Sequence, residues 1–273
     1  MGVFQCKSGA EAINDPGDVC FFAFATVAKP VLWGIMVGMC YRYISPDAAS
    51  IVDYWELEAP PGLSFEACYN VAPTSPVPAV WPTAGGGLQL GLLRWGLIPV
   101  WWKQEKPPSL TFNARSEEAA QKPVWRDSFR QGRCLIPALG WYEWQTVERT
   151  NPETGRTIKA KEPFCLHRPA DPLLAFAGLK AQWRSPGGEL VSSCAILTRA
   201  ASPQLSFLHH RMPVVLPKEL HVPWLSSQTD PKAVGGLLGS ALTDMAYYRV
   251  GEAVNCVGVN EPFLNHDKHC QQF

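Results

Sequence analysis

Surplus charge is what this chain lacks first: 24 lysines and arginines balance 24 aspartates and glutamates over 273 residues. A strongly basic global footprint for nucleic acid is therefore absent, and a polyanion would have to be met by local clusters. No C-x-x-C pair occurs among the nine cysteines, and their number is odd. Neither a disulfide framework nor a structural zinc is supported, and most of the thiols read as small buried hydrophobes in a reducing compartment. Cytoplasm is the expected location, at the nucleoid if the source is bacterial. An unbroken apolar run of the roughly 18 to 20 residues that span a bilayer is also missing, because Lys29-Pro30 splits Val19 to Val37. Glu11, Asp15 and Asp18 precede that stretch, where a secretory signal wants positive charge. No membrane partner is expected. Internal repeats and a β-α-β rhythm are absent too, which argues against a doubly wound sheet.

What is present is apolar bulk. Hydrophobic residues make up 47% of the chain and eleven residues are tryptophan, enough for a packed core. Prolines (25) and glycines (22) punctuate short elements throughout. Leu88 to Trp95, Leu135 to Trp144, Phe164 to His167, Leu173 to Leu179 and Val191 to Thr198 read as apolar strands. Ser45-Pro46-Asp47 reads as the cap and first turn of a helix running from Ala48 to Leu57. Ser116 to Lys122, Val124 to Gln131 and Pro217 to Leu225 read as further short helices, and Val147 to Glu162 as an exposed hairpin tip or inserted loop. The expectation is an α+β domain over residues 39–273, preceded by an N-terminal extension of residues 1–38.

Four segments offer chemistry: Met39-Cys40-Tyr41-Arg42, Asn113-Ala114-Arg115-Ser116-Glu117, Gly140-Trp141-Tyr142-Glu143-Trp144 and His209-His210-Arg211-Met212-Pro213. Cys40 follows a methionine. Were translation to begin at Met39 and that methionine to be removed, Cys40 would carry a free α-amine beside its thiol. An α-amine titrates at about 7.7 to 8.0 and a thiol near about 8.5, so both nucleophiles are partly available at neutral pH. Such a 1,2-aminothiol attacks an aldehyde twice, closing a thiazolidine; taken alone, a cysteine in an apolar stretch is more often core. Glu143 lies among aromatic residues, where a carboxylate is costly unless paired or functional, and it suits proton transfer as well as a salt bridge. Asn113 could orient an amine or cap a helix.

Arg42, Arg115 and Arg211 can grip phosphate through bidentate donors or be plain surface charges. From Arg94 to Arg133 there are eight basic against four acidic residues, a modest basic patch. Trp95, Trp101, Trp102 and Trp141 could stack on unpaired bases or fill core. His209 reads as a general acid/base. The pair His209-His210 is not read as a metal site, because neighbours on an extended segment point opposite ways and no third ligand is near. Neither a metal nor an organic cofactor is expected.

These segments, with Tyr69-Asn70-Val71-Ala72-Pro73-Thr74, Arg94-Trp95-Gly96-Leu97-Ile98-Pro99 and Arg133-Cys134-Leu135-Ile136-Pro137, resemble the SOS-response-associated peptidase (SRAP) family from Met39 to about Asn260. The resemblance implies a curved, partly barrel-like antiparallel sheet flanked by short helices. It further implies covalent capture of abasic sites in single-stranded DNA through an N-terminal cysteine thiazolidine, with AP lyase and autoproteolytic activity. In that reading Cys40 is the nucleophile, Asn113 positions its amine, Glu143 moves protons and His209 assists at sugar and phosphate. Arg42, Trp95, Arg115 and Arg211 hold DNA, and the protein acts as a monomer. Tyr41 stands where the family has glycine and His210 where it has aspartate; Tyr41 could crowd the entrance. The rival readings are a non-covalent single-stranded DNA-binding module and a cysteine peptidase.

Overall fold

The computed structural model describes residues 41–108, 111–151 and 154–262. In chain order its strands are β1 (Tyr43–Ser45), β2 (Cys68–Val71), β3 (Pro76–Pro82), β4 (Leu88–Trp95), β5 (Asn113–Arg115) and β6 (Arg133–Ala138), followed by β7 (Gly140–Thr150), β8 (Thr157–His167), β9 (Leu174–Arg184), β10 (Leu190–Ala200), β11 (Arg211–Pro213) and β12 (Ala246–Arg249). The helices are α1 (Ala48–Trp55), α2 (Ser116–Ala119), α3 (Pro123–Gln131), α4 (His221–Leu225) and α5 (Pro231–Gly239). Asp47 caps α1 by accepting the Ser50 amide, and Pro123 opens α3 where its missing N–H costs nothing.

Five strands close on themselves. β10 pairs β4, β4 pairs β3, β3 pairs β6, β6 pairs β9, and β9 returns to β10 over Leu190 to Ile196. A closed ring leaves no sheet edge among its members, and its inner face is filled by side chains. β3 carries Pro76, Pro78 and Pro82, which have no N–H to donate, and it meets β6 at one register position, Val80 opposite Leu135. Beyond its pairing with β9, β10 continues toward Ala200 with β5 parallel to it and β11 antiparallel to it.

Outside the ring lies a second sheet in the order β12-β8-β7-β1-β2. The apolar run from Leu135 to Trp144, expected as one strand, is two. It leaves the ring at Ala138, and at Gly140 it joins the second sheet opposite Ile44. A side chain at Gly140 would press a Cβ to 2.6 Å from the Leu166 carbonyl oxygen, so the switch needs glycine there. The polar stretch read as an exposed hairpin tip or inserted loop is the outer half of a hairpin: β7 and β8 pair without interruption from Trp141 and Leu166 out to Thr150 and Thr157.

Candidate functional site

The first half of the site is set by β1 and β7. Tyr43 pairs with Trp141 and the Tyr142 amide donates to the Arg42 carbonyl at 3.0 Å, which sets Tyr41 against Glu143 one step further along. Glu143 is buried, at 5% exposure. Burial raises the Tyr41 phenol above its ordinary pKa; Arg42 opposes that rise and the Glu143 charge adds to it. The Tyr41 ring lies flat on Trp144, centroids 5.2 Å apart and planes 1° from parallel. The residue expected to crowd the entrance is therefore held against a neighbouring tryptophan. Cys40, the expected nucleophile, lies outside the described residues; Tyr41 is its chain neighbour.

The second half sits where β10 runs past the ring. Asn113 pairs with Ile196 and Arg115 with Thr198 on one edge, and Arg211 pairs with Ala200 on the other. Arg211 reaches back across β10: its Nη1 and Nη2 each donate to a Glu117 carboxylate oxygen at 2.8 Å, and Nη2 also donates to the Thr198 carbonyl. This fork holds the Glu117 carboxyl down to about 2. It ties the Asn113-to-Glu117 segment to the turn that carries His209. There His209 Nδ1 lies 3.0 Å from the Arg211 amide nitrogen and 3.3 Å from the Arg211 carbonyl oxygen, so the Arg211 backbone fixes the ring's place. Burial above all, with the nearby charges of His210, Lys161 and Arg211, lowers the His209 pKa, although hydrogen bonding to the Arg211 backbone works the other way. That favours the neutral imidazole, the form suited to general acid/base work.

Aromatic side chains join the two halves. Phe164 on β8 stands directly opposite Glu143, and its ring lies 6.3 Å from that of Phe207, two residues before His209.

Several sequence expectations are corrected. Trp95, expected to hold DNA, is 1% exposed and donates its Nε1 hydrogen to the Phe112 carbonyl, so it is core. Arg42 is buried at 6% exposure, and its Nη1 donates to Asn70 Oδ1 and the Val254 carbonyl. Arg211 is 9% exposed and committed to Glu117, which makes it a brace. Arg115 keeps an exposed side chain in a long 3.7 Å pairing with Glu118. The histidine rings do not point apart: their centroids are 4.2 Å from each other, because residues 209 and 210 precede β11 and are not extended strand. Among the described residues no group of three or more His, Cys, Asp or Glu is placed to hold a metal, and no helix is long and apolar enough to cross a membrane. Cys134 and Cys165, pushed up to about 12 by burial, are poor nucleophiles.

Asn70 is a residue whose work the sequence did not reveal. Besides accepting from Arg42, its amide nitrogen donates to the carbonyls of Val254, Cys256 and Val259. The Trp144 indole N–H donates to Asn255 Oδ1, fastening the same segment beside the site. Spacing could not signal this, since the partners lie more than a hundred residues apart.

A closed five-stranded ring, an outer sheet and a few short helices define an α+β class of fold, with a buried carboxylate on β7 and a half-buried histidine on the turn before β11. The chain belongs to the SOS response associated peptidase (SRAP) family, whose model matches residues 39–257. It is 35% identical over 231 residues to the abasic site processing protein YoqW of Bacillus subtilis, covering 83% of this chain and 98% of that one. Its identity to the abasic site processing protein HMCES of Gallus gallus is 29% over 194 residues, covering 62% and 55%. Among solved structures, a protein from Bacteroides thetaiotaomicron superposes with a TM-score of 0.70 at 21% identity, covering 84% of this chain and 99% of the other. A phage-related protein from Bordetella bronchiseptica gives 0.60 at 28% identity, covering 78% and 95%.

Proposed function

We propose that this protein acts in the DNA-damage response by capturing abasic sites in single-stranded DNA, through a thiazolidine formed by an N-terminal Cys40. The observation that carries the reading is the setting of Tyr41, the chain neighbour of Cys40, against the buried carboxylate Glu143. Membership in the SRAP family and similarity to proteins named for abasic site processing support it.

The Cys40 α-amine attacks the aldehyde of the ring-opened sugar and the adduct loses one water to give an imine. The thiolate then adds to the imine carbon while the imine nitrogen gains a proton. Glu143 is the proton carrier in both steps: it relays the two amine protons to the oxygen that departs as water, then the proton the thiol gives up to the imine nitrogen. His209 donates a hydrogen bond through Nε2 to a sugar or phosphate oxygen, and Asn113 orients the amine. Arg115, the arginine of the site with an exposed side chain, meets the phosphodiester. An internal Cys40 has an amide in place of the amine, so the chemistry requires a chain that starts at Cys40. Initiation at Met39 followed by methionine removal would produce it, as would cleavage before Cys40 by the domain itself. AP lyase activity would follow when the imine forms but the ring does not close.

The test is a denaturing gel of protein mixed with a single-stranded oligonucleotide bearing one abasic site. The variants are the full chain, a chain starting at Met39, Cys40→Ala and Glu143→Gln, with intact mass recorded first. A heat-stable crosslink is expected only from protein whose mass begins at Cys40, abolished by Cys40→Ala and slowed about a hundredfold or more by Glu143→Gln. Absence of a crosslink from a verified Cys40 terminus would sink the covalent mechanism.

A further inference from the structure

Phe164, Phe207 and Tyr247 form a three-ring cluster at the rim. Centroid separations are 6.3 Å for Phe164 to Phe207, 6.1 Å for Phe164 to Tyr247 and 5.2 Å for Phe207 to Tyr247, all in tilted or edge-on packing. They come from three elements: β8, the loop before His209, and β12. Two of them remain open to solvent after this packing, Phe207 at 44% and Tyr247 at 40% exposure. A lone exposed aromatic needs no explanation. Here the rings brace one another and leave two outer surfaces free. The position is specific as well: Phe164 faces Glu143 across the β7–β8 ladder, and Phe207 is two residues from His209.

We infer that Phe207 and Tyr247 form a stacking platform for the nucleobase next to the abasic nucleotide, an inference that rests on the function proposed above. The chemistry favours that occupant. A base beside an abasic sugar has lost one stacking neighbour, so one of its π-faces is unpaired in the strand. An aromatic surface beside the reacting groups replaces that neighbour, and it accepts any base because every base has a π-face. The charge around it suits a polyanion: exposed Lys161 lies three residues before Phe164 on β8, near enough to His209 to act on its protonation. Braced rings lose little freedom when a base docks, so the stack is not offset by ordering cost. The platform would also fix strand polarity, since the base on one side of the missing one would stack and the other would not.

The experiment uses protein starting at Cys40 and single strands carrying a tetrahydrofuran abasic analogue, which has no aldehyde and cannot react. The fluorescent base 2-aminopurine is placed on the 5′ or the 3′ side of the analogue, and a matched intact strand carries the same fluorophore. Wild-type protein is expected to quench 2-aminopurine on one side of the analogue and not the other. Phe207→Leu with Tyr247→Leu, which keeps apolar bulk and removes the π-faces, should abolish that quenching and weaken binding about tenfold or more. Phe207→Tyr should retain both. Thermal unfolding of the variants checks that the fold persists. If the double variant binds and quenches as wild type does, the platform is wrong. If wild-type protein binds intact and abasic strands alike, the proposed function fails instead, and the intact strand still reads whether these rings stack a base.

Discussion

The closed ring and the outer sheet each hold a buried arginine, and they use it differently. On the ring side, Arg133 donates to the carbonyls of Phe129, Trp224 and Ser226, at the ends of α3 and α4. A cation there satisfies the carbonyls a helix leaves unpaired and complements the helix dipole. Within the outer sheet, Arg42 and Asn70 together take the carbonyls of Val254, Cys256 and Val259, in a segment that joins no sheet and has only a short 3-10 turn at Glu252–Asn255. The first arrangement locks helices onto a ring whose own backbone is already paired. In the second, side chains do the work a ladder would otherwise do. The difference teaches where a site can be built: Glu143 stands on a paired strand, and the segment beside it from Val254 to Val259 is held by side-chain bonds, which can adjust locally without disturbing the ring.

Arg133→Ala should show the larger effect. It strips three carbonyls of a charged donor inside the core and removes a guanidinium that also lies over the Trp224 ring at 5.7 Å. The expected loss is about 3 kcal/mol, read as a single cooperative unfolding transition moved to lower urea. Asn70→Ala should cost about 1 to 3 kcal/mol locally, exposing the 252–260 segment to amide exchange while the amides of β9 and β10 stay protected. Global melting by Asn70→Ala, or local fraying alone from Arg133→Ala, would erase the distinction.

Legibility in the sequence follows the same divide. The sequence marks β4 to its exact ends and β10 to within two residues, because β10 carries a buried run from Ser193 to Thr198 and the chain around each strand holds turn residues. β3 escaped notice because Pro76, Pro78 and Pro82 argue against a strand, although a strand tolerates them where few ladder bonds are needed. The change of sheet at Gly140 was invisible, since one apolar run serves both sheets and composition does not name a strand's neighbours. Of the site, the residue types were readable and their orientation was not. Trp95 and Arg42 suit a DNA surface by chemistry, yet both are buried because Phe112 and Asn70 supply them with partners. The platform of Phe207 and Tyr247 left no mark, since its rings come from segments forty residues apart.

The smallest expected effect bears on how firmly the ring-side half of the site is braced. Glu117 is held at about 2 by the Arg211 fork, against an ordinary value of 4.5. A carboxyl with a depressed folded-state pKa lends stability that is complete above about pH 4.5 and is lost as pH falls toward 2. Its side chain is about half exposed (52%), so screening limits that contribution to about 1 kcal/mol or less. Urea midpoints for wild type and Glu117→Gln should therefore differ by a small constant amount from pH 7 down to 4.5 and converge between 4.5 and 2. Binding to the tetrahydrofuran strand should respond more than stability does, because the fork ties the Asn113-to-Glu117 segment to the turn that carries His209. A difference in midpoints that persists unchanged to pH 2 would mean that Glu117 acts through packing, and that Arg211 holds the histidine turn without it.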